Sequence, residues 1–106
     1  MSRQVILISS LGESPAVVTE AIDKLELEEH IQFAQVVTLG TSQMAVRQGA
    51  EILSEHIPAH YGKRISYIPD FIDATDVLTE TDNLDYLTSV ALWLRTYPPS
   101  RNDVYV

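Results

Sequence analysis

The chain has no cysteine, four glycines, one tryptophan and only seven lysines and arginines in 106 residues. Each scarcity excludes something. Without cysteine there is no disulfide framework, no thiolate zinc site and no cysteine nucleophile. Seven basic residues stand against 15 acidic ones, for a net charge of -8. Such a chain does not coat DNA or RNA, because non-specific binding of nucleic acid rests on neutralising phosphates. One small anion held by backbone amides remains compatible with that charge. No apolar run approaches the roughly 18–20 residues that a membrane span needs. Arg3 is followed only by the short run Val5 to Ile8, which breaks into Ser9-Ser10, so the start does not read as a secretory signal. These absences set the expectation of a cytoplasmic protein.

What is present reads as one α/β domain over residues 1–106, with a hydrophobic fraction of 45% that suits a soluble core. Gln4 to Ser9 is a β-branched apolar run, apolar on both faces, as buried parallel strands are. Pro15 opens a first helix, with Ser14 as its expected N-cap and Val18, Ala21, Ile22 and Leu25 recurring at helical spacing. Phe33 to Leu39 is a second strand, broken by Gly40. Thr41 or Ser42 is the expected cap of a second helix, whose inward side reads as Ala45, Gly49, Ile52, Leu53 and Ile57 and which Pro58 and Gly62 end. Arg64 to Ile68 is a weaker third strand. A third helix carries Leu84, Leu87, Val90, Ala91 and Leu94 until Pro98-Pro99 stops it, and Asp103 to Val106 begins a fourth strand. The alternation implies right-handed crossovers and a Rossmann-like three-layer sandwich with a parallel sheet in order 3-2-1-4. The acidic segment Pro69 to Asp82 reads either as a solvated loop or as a functional flap.

In open sheets of this kind ligands bind beyond the carboxyl ends of the strands, where the strand order reverses. That crevice is expected between strands 1 and 4. The loop after strand 1, Ser9 to Pro15, feeds a helix N-terminus, with Gly12 for a tight turn and Ser10 and Ser14 for hydroxyls. Gly40-Thr41-Ser42-Gln43 repeats the arrangement after strand 2. The ordinary reading of both is helix capping, but two such loops on one rim favour a phosphate-bearing ligand.

Familiar motifs do not fit the first loop. A dinucleotide fingerprint needs three glycines and a P-loop needs a lysine, and neither is present. Gly12-Glu13-Ser14-Pro15-Ala16 is placed like a nucleophile elbow, yet Pro15 has no N–H to give an oxyanion hole. A phospho-receiver domain would carry carboxylates where Ser9-Ser10 stands. His56 and His60 have metal-ligand spacing but no obvious third ligand, so they read as exposed helix-end histidines and no metal or other cofactor is expected. His30 reads as solvent-facing, and Trp93 as packing.

Strand 1 with Leu11-Gly12-Glu13-Ser14-Pro15-Ala16-Val17-Val18-Thr19-Glu20-Ala21 resembles the N-terminus of CRISPR-associated Rossmann-fold (CARF) domains. Thr38 to Ser42 resembles their second strand and loop. Asp73 to Asn83 is similar to a segment of one CARF subgroup, and Asn102 to Val106 to the strand that follows. The resemblance implies a cytoplasmic ligand-sensing domain of type III CRISPR antiviral defence, forming a homodimer that binds a cyclic oligoadenylate across its axis and regulates an effector. Carried over by position, Leu11, Gly12, Glu13 and Ser14 contact the ligand with Ser10 nearby, and Thr41, Ser42 and Gln43 are second contacts. The family's Gly-Gly-Arg-Lys run after the fourth strand has no counterpart before Val106. Strand 4 is then an uncovered edge. The expectation is a fragment or half of a split domain, completed by another segment.

Two alternatives stay open. One is a ring nuclease, in which a ribose 2′-hydroxyl attacks the adjacent phosphate, Ser10 or Ser14 aligns it, and Arg47 is the nearest candidate to stabilise charge. The other is a generic nucleotide-binding or structural α/β domain.

Overall fold

Four short parallel strands order this molecule, and their sequence explains why they pair in the middle of it. The computed structural model describes the backbone of residues 3–72 and 80–106 and, within these, the side chains of all but 80–85. The elements run β1 (Gln4–Leu11), α1 (Ala16–Glu29), β2 (Gln35–Gly40), α2 (Met44–Tyr61), a 3-10 turn (Gly62–Arg64), β3 (Ser66–Phe71), α3 (Glu80–Thr96) and β4 (Asn102–Tyr105). The sheet is parallel in the order β3-β2-β1-β4, so the expected α/β architecture and strand order hold.

The two faces of the sheet are covered differently. Leu7, Leu11 and Val36 face α1 and α2, where Val18, Ile22, Val46, Ala50, Leu53 and Ile57 complete a core with Phe33 and Ile65. Ile6, Ile8, Val37 and Leu39 point the other way, and α3 packs over them. This alternation along β1 and β2 is the period-2 geometry of a strand apolar on both faces.

Several boundaries differ from the sequence expectation. β1 runs on through Ser10 and Leu11, because these pair with Leu39 and Gly40 of β2. Phe33 is fully buried but precedes β2. β3 continues past Ile68 through Pro69, whose lack of an N–H is tolerated on an edge strand. α2 runs past Pro58 to Tyr61, and Gly62, the other expected stop, is its C-cap. A proline there forfeits a helix hydrogen bond, and the complete burial of Ile57 beside it holds the turn in place.

The caps also differ. Pro15, not Ser14, occupies the cap position of α1, with no side-chain cap bond, and Ser14 contributes its carbonyl to the N–H of Val17. Gln43, rather than Thr41 or Ser42, occupies the cap position of α2, again with no side-chain cap bond.

Helix faces rotate as well. α2 buries Val46, Gly49, Ala50, Leu53 and Ile57, while Ala45 is exposed and Ile52 is 56% exposed. α3 presents Tyr86, Val90 and Trp93 to the sheet, and Tyr97 continues the stripe just past its end. Leu87 (57%), Ala91 and Leu94 (41%) lie outward instead, and the side chain of Leu84 lies outside the described residues. The polar tips of this face have partners on the sheet: Tyr97 Oη donates to Gln35 Oε1, and the Trp93 indole to Asp70.

A polar clamp closes the α1 side. The Glu26 carboxylate receives both guanidinium Nη groups of Arg64, at 2.7 and 3.1 Å, and the backbone N–H of Phe33 at 2.8 Å. The Tyr61 hydroxyl donates to Asp23 at 2.6 Å, with the Arg64 guanidinium 5.4 Å from the Tyr61 ring centre.

Candidate functional site

A cleft of about 340 Å³ opens at the carboxyl ends of β1 and β2. Its walls are Ser10, Leu11, Gly12, Glu13, Leu39, Gly40, Thr41, Gln43, Val46 and Tyr86. Strand geometry explains this gathering. β1 and β2 are in register from Ile6↔Gln35 to Leu11↔Gly40, so both chains leave the sheet at the same height. Each then leads into a helix: Gly12 and Glu13 precede α1, and Gln43 and Val46 bring the start of α2 to the opening.

Six of the residues expected at the site therefore share one cleft: Ser10, Leu11, Gly12, Glu13, Thr41 and Gln43. Ser14 and Ser42 do not line it. Ser10 and Leu11 belong to the strand rather than to the loop. The crevice is expected between strands 1 and 4, whereas this cleft lies at the ends of β1 and β2.

The two glycines have different reasons for being there. Gly12 has no positive φ, and a Cβ built on it meets nothing within 4 Å, so no tight turn demands it. At Gly40 a Cβ would stand 2.6 Å from Val46 Cγ1 and 3.4 Å from the Phe71 ring. The close approach of α2 to the end of β2, which forms the cleft floor, thus depends on Gly40.

Tyr86 has no counterpart in the sequence expectation. It comes from α3, on the opposite face of the sheet, and packs against the cluster of Ile6, Ile8, Val37 and Leu39 while lining the cleft. The available signal was its spacing: Tyr86, Val90, Trp93 and Tyr97 form one helical stripe, which the leucines around it mask in the sequence.

Other candidate groups lie elsewhere. Arg47 is exposed, with its guanidinium 4.7 Å from the centre of the Phe71 ring, and is not among the cleft walls. Ser9 Oγ donates to the carbonyl of Ser10 at 3.1 Å. Beneath the cleft, fully buried Thr38 shares a 2.6 Å hydrogen bond with the Tyr67 hydroxyl, and burial raises the phenol pKa of Tyr67 above its ordinary value. His56 and His60 are exposed and their rings stack with centres 5.5 Å apart. Among the described residues no group of three or more His, Asp or Glu is placed to hold a metal ion. Asp70, the first carboxylate of the expected segment Pro69 to Asp82, is hydrogen-bonded at the end of β3, whereas residues 73–79, which carry most of the resemblance placed on Asp73 to Asn83, lie outside the described residues. No helix among the described residues is long and apolar enough to cross a membrane.

Fold and cleft together define an open, parallel-sheet α/β domain with a candidate ligand site at the strand carboxyl ends. Residues 14–106 match the family described as CRISPR-associated protein NE0113, and the chain belongs to that family. The match takes in Thr41 to Gln43 and Tyr86, whereas Ser10 to Glu13 precede it. No curated protein matches the chain. Family membership places the protein among CRISPR-associated proteins and suggests a role in CRISPR defence.

Proposed function

We propose that this domain is a sensor of the CARF type, binding a cyclic oligoadenylate second messenger of type III CRISPR defence between two copies of the chain, in the cytoplasm, and so regulating an effector. The observation that carries the reading is the cleft itself: Ser10, Gly12, Glu13, Thr41 and Gln43 brought together at the starts of two helices. Helix-start amides and side-chain hydroxyls bind phosphate without surplus positive charge, which suits a chain of net charge -8. Glu13 fits a different part of the ligand, since a carboxylate accepts from a ribose hydroxyl or an exocyclic amine and repels phosphate.

Size is compatible with the reading. Small-molecule sites run from about 300 to 1,000 Å³, and this cleft, at about 340 Å³, is large enough for a nucleotide unit. A ring shared by two chains would place part of itself in each cleft. The ring-nuclease alternative draws no support from Arg47, which is engaged on Phe71.

Calorimetric titration with cyclic tetra-adenylate and cyclic hexa-adenylate tests the reading. One ring bound per two chains is expected with one of them. Absence of heat with both, on folded protein, overturns it.

A further inference from the structure

We infer that Tyr86 is the base platform of the cleft, so that the site selects a phosphate ligand bearing an aromatic base. This deepens the reading above and rests on it for the identity of the natural ligand. Tyr86 is the one aromatic side chain among the described cleft walls. Its position is firm on one side, because it packs against the buried cluster of Ile6, Ile8, Val37 and Leu39. On the other side it borders the open cleft, together with Leu39 and Val46. An aromatic ring packed on the core and bordering a cleft with hydroxyl and amide groups puts an aromatic surface beside hydrogen-bonding groups. A sugar phosphate without a base would use only Ser10, Gly12, Thr41 and Gln43. A nucleotide would use these and the ring.

The elements have separate tasks on this account. β1 and β2 deliver the polar walls, and α3, arriving from the opposite face of the sheet, delivers the selecting ring. Base–aromatic stacking contributes about 1–3 kcal/mol per base, which is a loss of between about fivefold and about a hundredfold in affinity when the ring is removed.

The test uses adenosine 5′-monophosphate, ribose 5-phosphate and the two cyclic rings on the whole chain. Ring-labelled tyrosine NMR is read on the wild type, with Tyr86→Phe assigning the resonance. Tyr86→Leu keeps apolar packing without a π face, and Trp93 emission during urea unfolding checks that it folds. Adenosine monophosphate should move the Tyr86 resonance and ribose 5-phosphate should not. Tyr86→Leu should bind nucleotide between about fivefold and about a hundredfold more weakly, and Tyr86→Phe should bind like wild type. If a cyclic ring binds but the resonance stays still and Tyr86→Leu binds unchanged, the platform is overturned and the sensor reading stands. If adenosine monophosphate moves Tyr86 while neither ring gives heat, the sensor reading fails and the platform stands. If nothing binds, both fall.

Discussion

The indole N–H of Trp93 donates to Oδ2 of Asp70 at 2.7 Å, tying α3 to the end of the edge strand β3. The other oxygen of the same carboxylate accepts the backbone N–H of Phe71 at 2.9 Å. One side chain thus orders both the strand end and the helix that supplies Tyr86. Hydrogen bonds to charged groups contribute about 1.5–3 kcal/mol, so Trp93→Phe, which keeps most of the ring packing, is expected to lose about that much stability. Urea unfolding followed by circular dichroism measures it. Combined with Asp70→Ala, the cost should fall short of the sum of the singles. Strictly additive costs would show that the bond contributes nothing.

A second prediction concerns pH. Burial, and then the hydrogen bond to Asp23, raise the phenol pKa of Tyr61 above its ordinary value of 10.0. The folded chain therefore holds this proton more tightly than the unfolded chain does. Above the unfolded value of about 10, unfolding releases protons, and rising pH favours the unfolded state. The contribution is full below about pH 10 and is lost as pH climbs past it. Tyr67 and Tyr97, raised by burial, act in the same direction. Urea unfolding in steps from neutral to alkaline pH should show stability falling, with a shallower fall in Tyr61→Phe. An identical slope in the variant would count against Tyr61 as a source.

The two cleft glycines should separate cleanly. Gly40→Ala places a methyl 2.6 Å from Val46 Cγ1, so α2 or the Val46 rotamer must yield. Overpacking of this sort costs about 1–3 kcal/mol, and Val46→Ala in the same chain should recover part of it. Gly12→Ala meets open space and an ordinary backbone, so it should leave the melting temperature unchanged. A large destabilisation by Gly12→Ala would contradict this assignment.

Two further glycines should move stability in opposite directions. Gly49, inside α2, has only the Pro15 ring near its Cβ position, at 3.7–3.8 Å, which is ordinary contact. Gly49→Ala gains helix propensity of about 1 kcal/mol and should raise the melting temperature. Gly62 closes α2 with φ 69° and ψ -156°, a region nearly confined to glycine, where another residue costs about 1–3 kcal/mol. Gly62→Ala should melt lower. Differential scanning calorimetry on both variants decides it.

The site was half legible. Ser10 to Glu13, Thr41 and Gln43 follow from the position of strand–helix turns, a local property, and they do line one cleft. Ser14 and Ser42 were assigned by the same logic and lie off it, because a turn's position does not say which of its side chains points inward. Gly12 was chosen for a turn whose backbone does not require glycine, whereas the necessity of Gly40 comes from the close approach of Val46 in α2.

By itself the sequence determined the alternation of strands and helices, the parallel sheet in the order β3-β2-β1-β4, and the double-sided burial of β1. Those rest on periodicity and handedness, which neighbouring residues encode. Only the tertiary structure decided which stripe of α3 faces the sheet. Leucine and aromatic residues both recur there at helical spacing, and the side that packs on the sheet is the one whose polar tips meet partners on the strands: Trp93 meets Asp70, and Tyr97, just past the helix, meets Gln35. The choice turns Leu87 outward and Tyr86 into the cleft wall. A helix cannot register partners that lie on strands 23 and 62 residues away until the sheet has brought them together.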